Sequence, residues 1–499
     1  MNRLDLSTVD RLPADIARPA YPVRGVGIGI VHVGIGAFHR AHQAVYTDDA
    51  LAREGGPWGI CGVSLRSPGV RERMRPQDGL YTSVAKSPDG DRRRVVGSIR
   101  EVLYYGDERD EVLRRLTAPD TRIVSLTVTE KAYCHEPATG RLDTEHPDIV
   151  HDLASLAAPR SVVGLLVAAF AKRRRTHGMP VTVVCCDNLT QNGALVCGLV
   201  VSFANLVDRS LADWIGREIA FPSTMIDRIV PATTAADIAE NDAALGFADA
   251  APVVHEPFAQ WVIEDRFTGD RPAWDAVGAL LVDDVDPYES MKLRLLNASH
   301  SAFAYLGFLA GFEFIYEVAA RPSFVAWMRR FMADEVSPAL VPPHGIDLAA
   351  YRDELVRRFA NPALPHRTRQ VAMDGSQKLP QRILATVRDN LAANRPVELA
   401  ALAVAGWMRY VHGEDEQGRP IDVADPLAPQ FAALAARHRR DPAGFANALL
   451  ALRAIFDEDL GNEPRFAAPV TRWLSELFAH GAAQTVARAT AQPRRPSNS

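Results

Sequence analysis

Two rhythms of apolar and polar residues run along this chain. Between about residues 25 and 200, short apolar runs of strand length are separated by turn residues and by stretches of helical period. The strand-like runs cover 27–33, 58–65, 80–84, 94–96, 122–128 and 181–186, and the helical ones 37–51, 110–116 and 161–175. Strands alternating with helices predict a Rossmann-type, doubly wound parallel sheet of the α/β class. Helical period then dominates over 194–219, 286–311, 323–335, 348–359, 380–393, 397–412, 427–437, 442–456 and 467–490. Residues 221–284 hold neither rhythm for long and read as an irregular extension. The expected organisation is a polar N-terminal arm at 1–24, a dinucleotide-binding domain at 25–284, a mostly α-helical domain at 285–491 and a disordered tail at 492–499.

The first apolar run ends at Gly34-Ile35-Gly36 and a helical stretch follows. Strand, glycine turn and helix are the setting in which a backbone approaches a pyrophosphate lying on the helix N-terminus. Gly34, Gly36, Ala37, Phe38 and His39 are therefore candidate cofactor contacts. His39 stands where a GxGxxG fingerprint has its third glycine. The next strand runs into Arg66-Ser67-Pro68-Gly69, without the carboxylate that would bind an adenosine ribose. Arg66 joins the cofactor candidates, with NAD expected and NADP left open. Thr129-Glu130 and Asp187-Asn188 fall at the ends of later strands, where open α/β sheets gather their ligands.

The most unusual stretch is 288–300, YESMKLRLLNASH. Apolar side chains surround Lys292 and Asn297, as in a core helix. Lysine is seldom buried without a reason. Burial disfavours its ammonium form, so such a lysine is suited to act as a base. At roughly 100° per residue, Asn297 lies roughly 140° and His300 roughly 80° around from Lys292. All three can face one cavity.

Composition narrows the field. The chain has 499 residues, 47% of them hydrophobic, enough for two or three domains with cores of their own. A net charge of −5 argues against a cationic surface for nucleic acid or anionic membrane. The basic run 172–175 reads as the end of a helix. Five cysteines without a CxxC pair suggest neither a disulfide framework nor a zinc knuckle. The N-terminus has no apolar core of signal-peptide type, and no run reaches the length of a membrane span, so a cytoplasmic protein is expected.

Three chemistries fit these residues. In a nicotinamide-dependent dehydrogenase, Lys292 would take the proton of an alcohol, the amides of Asn188 and Asn297 would donate to the developing alkoxide, and His300 would hold the hydroxyl. A metal alcohol dehydrogenase would build on His39 and His42, but the ligand set is incomplete and no metal is expected. A non-catalytic nucleotide sensor would have no need of Lys292, Asn297 and His300 together.

Seven stretches, taken together, resemble the polyol-specific long-chain dehydrogenases, the family of mannitol 2-dehydrogenase and fructuronate reductase. They are IVHVGIGAFHRAHQAVYTD at 30–48, IVSLTVTEKAYC at 123–134, VVCCDNLTQNG at 183–193, FPSTMIDRIVPATT at 221–234, EPFAQWVIED at 256–265, MKLRLLNASHSAFAYLG at 291–307 and MDGSQKLPQR at 373–382. The resemblance implies a Rossmann-type domain, a helical C-terminal domain and metal-independent oxidation of a secondary alcohol. It implies Lys292 as general base, Asn188 and Asn297 as the alkoxide-stabilising pair and His300 as a substrate-binding histidine. It also implies Glu130 and Glu289 as carboxylates linked to proton movement, and Asp227 and Lys378 as substrate contacts. The mannitol branch looks to carry arginine where this chain has Gln370, with Arg369 adjacent. The stretches 367–382 and 405–418 look more like the fructuronate reductase branch. The expected reaction is reversible hydride transfer between a nicotinamide cofactor and the C5 ketone of D-fructuronate, giving D-mannonate. Mannitol and fructose are the alternative pair. A uronate carboxylate needs a cation or several donors, and Lys378, Arg369 and Arg382 are the candidates. Beyond such a sugar acid or polyol no partner is expected, and the protein would be a monomer or small homo-oligomer.

Overall fold

A computed structural model of the protein describes residues 2–136 and 139–491. The expected tail at 492–499 lies outside the described residues. The chain divides into two compact units, Met1–Asp286 and Pro287–Ser499.

The first unit is built on five parallel strands: β1 Ile28–Val33, β2 Gly59–Ser64, β3 Ile99–Tyr104, β4 Ile123–Leu126 and β5 Thr182–Cys185. Their order in the sheet is β3-β2-β1-β4-β5, which is the doubly wound order with its reversal beside β1. Side chains alternate between the faces of a strand. Ile30 therefore joins the apolar layer under the helix Gln43–Glu54, while Val31 and Val33 join the layer under the helices Val162–Thr176 and Asn192–Val207. Burial on both faces explains why these strands read as continuous apolar runs.

Three expectations change. The single helix expected over 37–51 is two, Ala37–Ala41 and Gln43–Glu54, because His42 leaves helical geometry at φ −127° and ψ −90°. The stretch 221–284 is ordered: Thr224–Asp227 pairs with Gln260–Glu264, Gln260–Glu264 with Leu280–Val282, and Val253–His255 with Tyr81–Ala85. These strands are only three to five residues long, too short to display a period. The polar leader also packs down. Leu4, Leu12, Ile16 and Val23 are buried with Leu80, Val95, Leu245 and Phe247.

The second unit is helical around Glu398–Val411, buried at every residue from Leu399 onward. A helix apolar all round must be covered all round, and Ala298–Leu309 and Pro464–Ala491 pack on it. Three π-helical turns interrupt the surrounding helices, at Lys292–Asn297, Phe331–Val336 and Pro380–Leu384. The second carries Glu335, whose carboxylate accepts the N–H groups of Leu399 and Ala400 and so caps the central helix. Among the described residues no helix is long and apolar enough to cross a membrane.

Candidate active site

In the first unit, the carboxyl end of β1 turns sharply at Gly34, which has φ +99°. A Cβ at Gly34 would lie 2.1 Å from the carbonyl oxygen of Thr127, so only glycine fits between β1 and β4. The Gly34 N–H donates to Val63 at 2.8 Å, and the Thr127 hydroxyl donates to the Gly34 carbonyl at 2.8 Å. At Gly36 the situation is the reverse. A Cβ there would meet nothing nearer than 3.7 Å, and no side chain caps the helix that begins at Ala37. A glycine turn, open space and uncapped helix N–H groups at the sheet's reversal point fit a pyrophosphate.

The contribution of His39 differs from expectation. Its ring is buried and stacked on His32 with centroids 3.4 Å apart. Burial first, then His32, holds its pKa well below the ordinary value, so it brings no positive charge to the turn. Phe38 is half-buried and stacks on His42. Arg66 is exposed at the end of β2, in a turn without a carboxylate.

Three more candidates lie in this unit. Glu130 follows β4 and Asn188 follows β5, both exposed, and Asp227 ends the strand Thr224–Asp227 and is buried. They come from separate segments of the chain, which the β-sheets bring to strand ends.

In the second unit, Lys292 and Asn297 are only 8% and 7% exposed. They open and close a π-turn, and the regular 100° step fails across it. Bonding from i to i+5 adds a residue to the turn. Asn297, five residues on, is therefore brought nearer to the face of Lys292 than the roughly 140° of α-helical spacing. Single π-turns inside helices are frequent at functional sites.

The His300 ring stacks on Phe359 at 5.2 Å and lies 5.1 Å from the His366 ring. Its Nε2 is buried without a hydrogen bond among the described residues, which marks it as a donor or acceptor for something else. Burial, then the fields of His366, Arg382, Arg358 and Lys378, push its pKa well down. Arg382 donates to the Asn297 carbonyl at 3.4 Å and to the Ser301 hydroxyl at 3.0 Å, so it is tied to the catalytic candidates and is not a solvated helix residue. Lys378 donates to the Met373 carbonyl at 2.5 Å. Glu289 is half-buried in the helical turn before Lys292. Arg369 and Gln370 are exposed, and Arg369 pairs with Asp422 at 2.5 Å. Buried Arg358 and half-buried His366 were invisible in the sequence, where Arg358 looks like any basic residue in a helix's last turn.

Residues 28–276 match the mannitol dehydrogenase Rossmann domain, and residues 284–478 match the mannitol dehydrogenase C-terminal domain. The chain is 45% identical over 478 residues to the uncharacterized oxidoreductase YeiQ of Escherichia coli strain K12, covering 95% of this chain and 97% of the relative. It is 44% identical over 476 residues to the D-mannonate oxidoreductase of the same strain, covering 95% and 98%. Among solved structures it resembles Pseudomonas fluorescens mannitol 2-dehydrogenase in ternary complex with NAD and D-mannitol. The TM-score is 0.87 at 40% identity, with 98% of this chain and 100% of the other covered. Both domain types are matched in order, and the relatives align end to end: the chain belongs to the mannitol dehydrogenase family of oxidoreductases.

Proposed function

We propose that this protein is an NAD-dependent oxidoreductase that interconverts D-fructuronate and D-mannonate, without a metal, using Lys292 as its general acid and base. Bound NAD would supply the hydride acceptor for the oxidative direction, held on the turn Gly34-Ile35-Gly36 and the start of the helix at Ala37. The alcohol's carbon gives up its hydrogen with both electrons, and its hydroxyl proton goes to the Lys292 Nζ. The amides of Asn297 and Asn188 donate to the oxygen as negative charge builds on it. His300 offers its buried Nε2 to a substrate hydroxyl. Glu130 and Glu289 carry the proton onward, and Asp227 and Lys378 bind the sugar chain. In reduction the lysine ammonium returns the proton.

The observation that carries the sugar-acid reading is Arg382, whose guanidinium donates to the Asn297 carbonyl and to the Ser301 hydroxyl, beside His300 in the chain. A cation at that place suits a carboxylate substrate. The end-to-end likeness to a D-mannonate oxidoreductase supports the same choice. Arg369 and Gln370, exposed like Glu130 and Asn188, are further substrate contacts in this reading. A second reading concerns the coenzyme. The exposed Arg66, in a turn lacking a carboxylate, suits a 2′-phosphate and so favours a test of NADP.

The test is steady-state oxidation of NADH and of NADPH with D-fructuronate and with D-fructose. A kcat/KM at least tenfold higher for fructuronate is expected. Equal or better use of fructose would instead assign the chain to polyol oxidation.

A further inference from the structure

We propose that Asp187 is a positioning residue that aligns the first unit's three polar candidates, Glu130, Asn188 and Asp227. The proposal rests on the catalytic reading above.

The starting point is backbone strain. Thr129 has φ +75° and ψ +152°. For a β-branched residue this is an outlier, and such conformations persist only where the surroundings over-determine them. The surroundings here are one carboxylate. Asp187 Oδ2 accepts the Val128 N–H at 3.0 Å, and its Oδ1 accepts the Thr129 N–H at 2.9 Å. The Tyr133 hydroxyl donates to Oδ2 at 2.7 Å and also touches the Cys185 sulfur at 3.2 Å.

These bonds grip both ends of the helical turn Glu130–Tyr133. Asp187 and Tyr133 are buried, whereas Glu130, which lies in the turn, and Asn188, the next residue after Asp187, are exposed. One buried acid therefore fixes the backbone that presents two exposed polar side chains. The frame extends to the third. Asn192, fully buried, donates from Nδ2 to the Asp187 carbonyl at 3.1 Å and to the Thr224 carbonyl at 3.0 Å, while its Oδ1 accepts the Thr224 N–H at 2.9 Å. Thr224 opens the strand that ends at Asp227, and its hydroxyl donates to the Cys185 carbonyl at 2.6 Å.

Nothing in this network is aimed outward, so Asp187 would act through its neighbours and not on substrate. Catalysis depends on sub-ångström alignment, and a misplacement of 1 Å costs about 100-fold in rate. Releasing the strained turn should therefore slow hydride transfer more than it weakens cofactor binding.

The experiment compares Asp187→Ala, Asp187→Asn and Tyr133→Phe with wild type and with Lys292→Ala. It measures kcat with D-fructuronate, NADH affinity by fluorescence titration, and the isotope effect on kcat from NADH deuterated at the transferred position. Asp187→Ala should lose about 100-fold in kcat and Tyr133→Phe about tenfold. Asp187→Asn, which keeps one acceptor oxygen, should fall between them. NADH affinity should stay within about twofold, and the isotope effect should rise as hydride transfer becomes the slow step. If Asp187→Ala fails to fold, the two milder variants decide. Wild-type kcat and isotope effect in folded Tyr133→Phe and Asp187→Asn, beside an inactive Lys292→Ala, would overturn the positioning role alone. An active Lys292→Ala would overturn the catalytic reading and this role with it.

Discussion

Substituting Gly36 by alanine should separate cofactor binding from folding. Gly36 has φ −101°, a conformation any residue adopts. A methyl group at its Cβ would find its nearest neighbour, the Gly34 carbonyl oxygen, at 3.7 Å, an ordinary contact. The folded protein therefore has room, and the loss of chain entropy in the unfolded state should stabilise it by about 0.4–1 kcal/mol. The same methyl would stand where a pyrophosphate must approach the backbone. A displacement of about 1 Å would cost roughly 10–100-fold in NADH affinity, or about 1.4–2.8 kcal/mol. Gly34→Ala should do the opposite. Its φ of +99° and the Thr127 oxygen 2.1 Å from the new Cβ put the damage into the fold, with about 1–3 kcal/mol of backbone strain before the steric clash is added. NADH titration by fluorescence and thermal melting of both variants distinguish these effects. Wild-type NADH affinity in a folded Gly36→Ala protein would refute the location of the cofactor turn.

Further predictions follow from the second unit. Arg382→Ala should raise KM for D-fructuronate by about 10–100-fold, the worth of a charge-assisted hydrogen bond, and change that for D-fructose much less. An equal effect on both sugars would mean that Arg382 only supports the turn at Asn297. Burial pushes the Glu335 carboxyl up to about 8, ahead of the opposing N–H groups of Leu399 and Ala400. The folded pKa lies above the unfolded one, so the contribution of Glu335 to stability should be fully present below pH 4.5 and fall as pH rises to about 8, by on the order of 5 kcal/mol at most. Denaturant melts of Glu335→Gln across pH 5–8 should show a much flatter profile, and an unchanged slope would assign the dependence elsewhere.

The fold class and the glycine turn after β1 were legible in the sequence because both rest on local pattern. Strands of β1 and β5 are apolar on both faces, and the glycines of 34–36 stand directly after the first of them. What escaped has physical reasons. Ile99–Tyr104, with Arg100 and Glu101 side by side, is neither an apolar run nor an alternating one, because it is an edge strand of the parallel sheet. The four apolar anchors of residues 2–24 stand among Pro13, Pro19 and Pro22, which bar a regular helix, so that segment looked like a loose arm. The π-turn at Lys292–Asn297 cannot be read from a count that assumes 3.6 residues per turn, although the burial of Lys292 and Asn297 showed in their apolar surroundings. Arg358 and Arg382 look like surface residues because nothing local to them records what distant helices bring near. The stacking of His39 was equally hidden: its partner His32 lies on the strand before the turn, and only the fold brings the two rings together.

Buried Lys292, proposed as the acid and base of a nicotinamide-dependent reaction on a sugar ketone, is tested by stopped-flow consumption of NADH in a single turnover with D-fructuronate, for wild type and Lys292→Ala across pH. The variant should bind NADH normally, lose about 100- to 10,000-fold in rate and lose the pH dependence of the wild-type step. A variant that consumes NADH near the wild-type rate, with the same pH profile, would contradict that role.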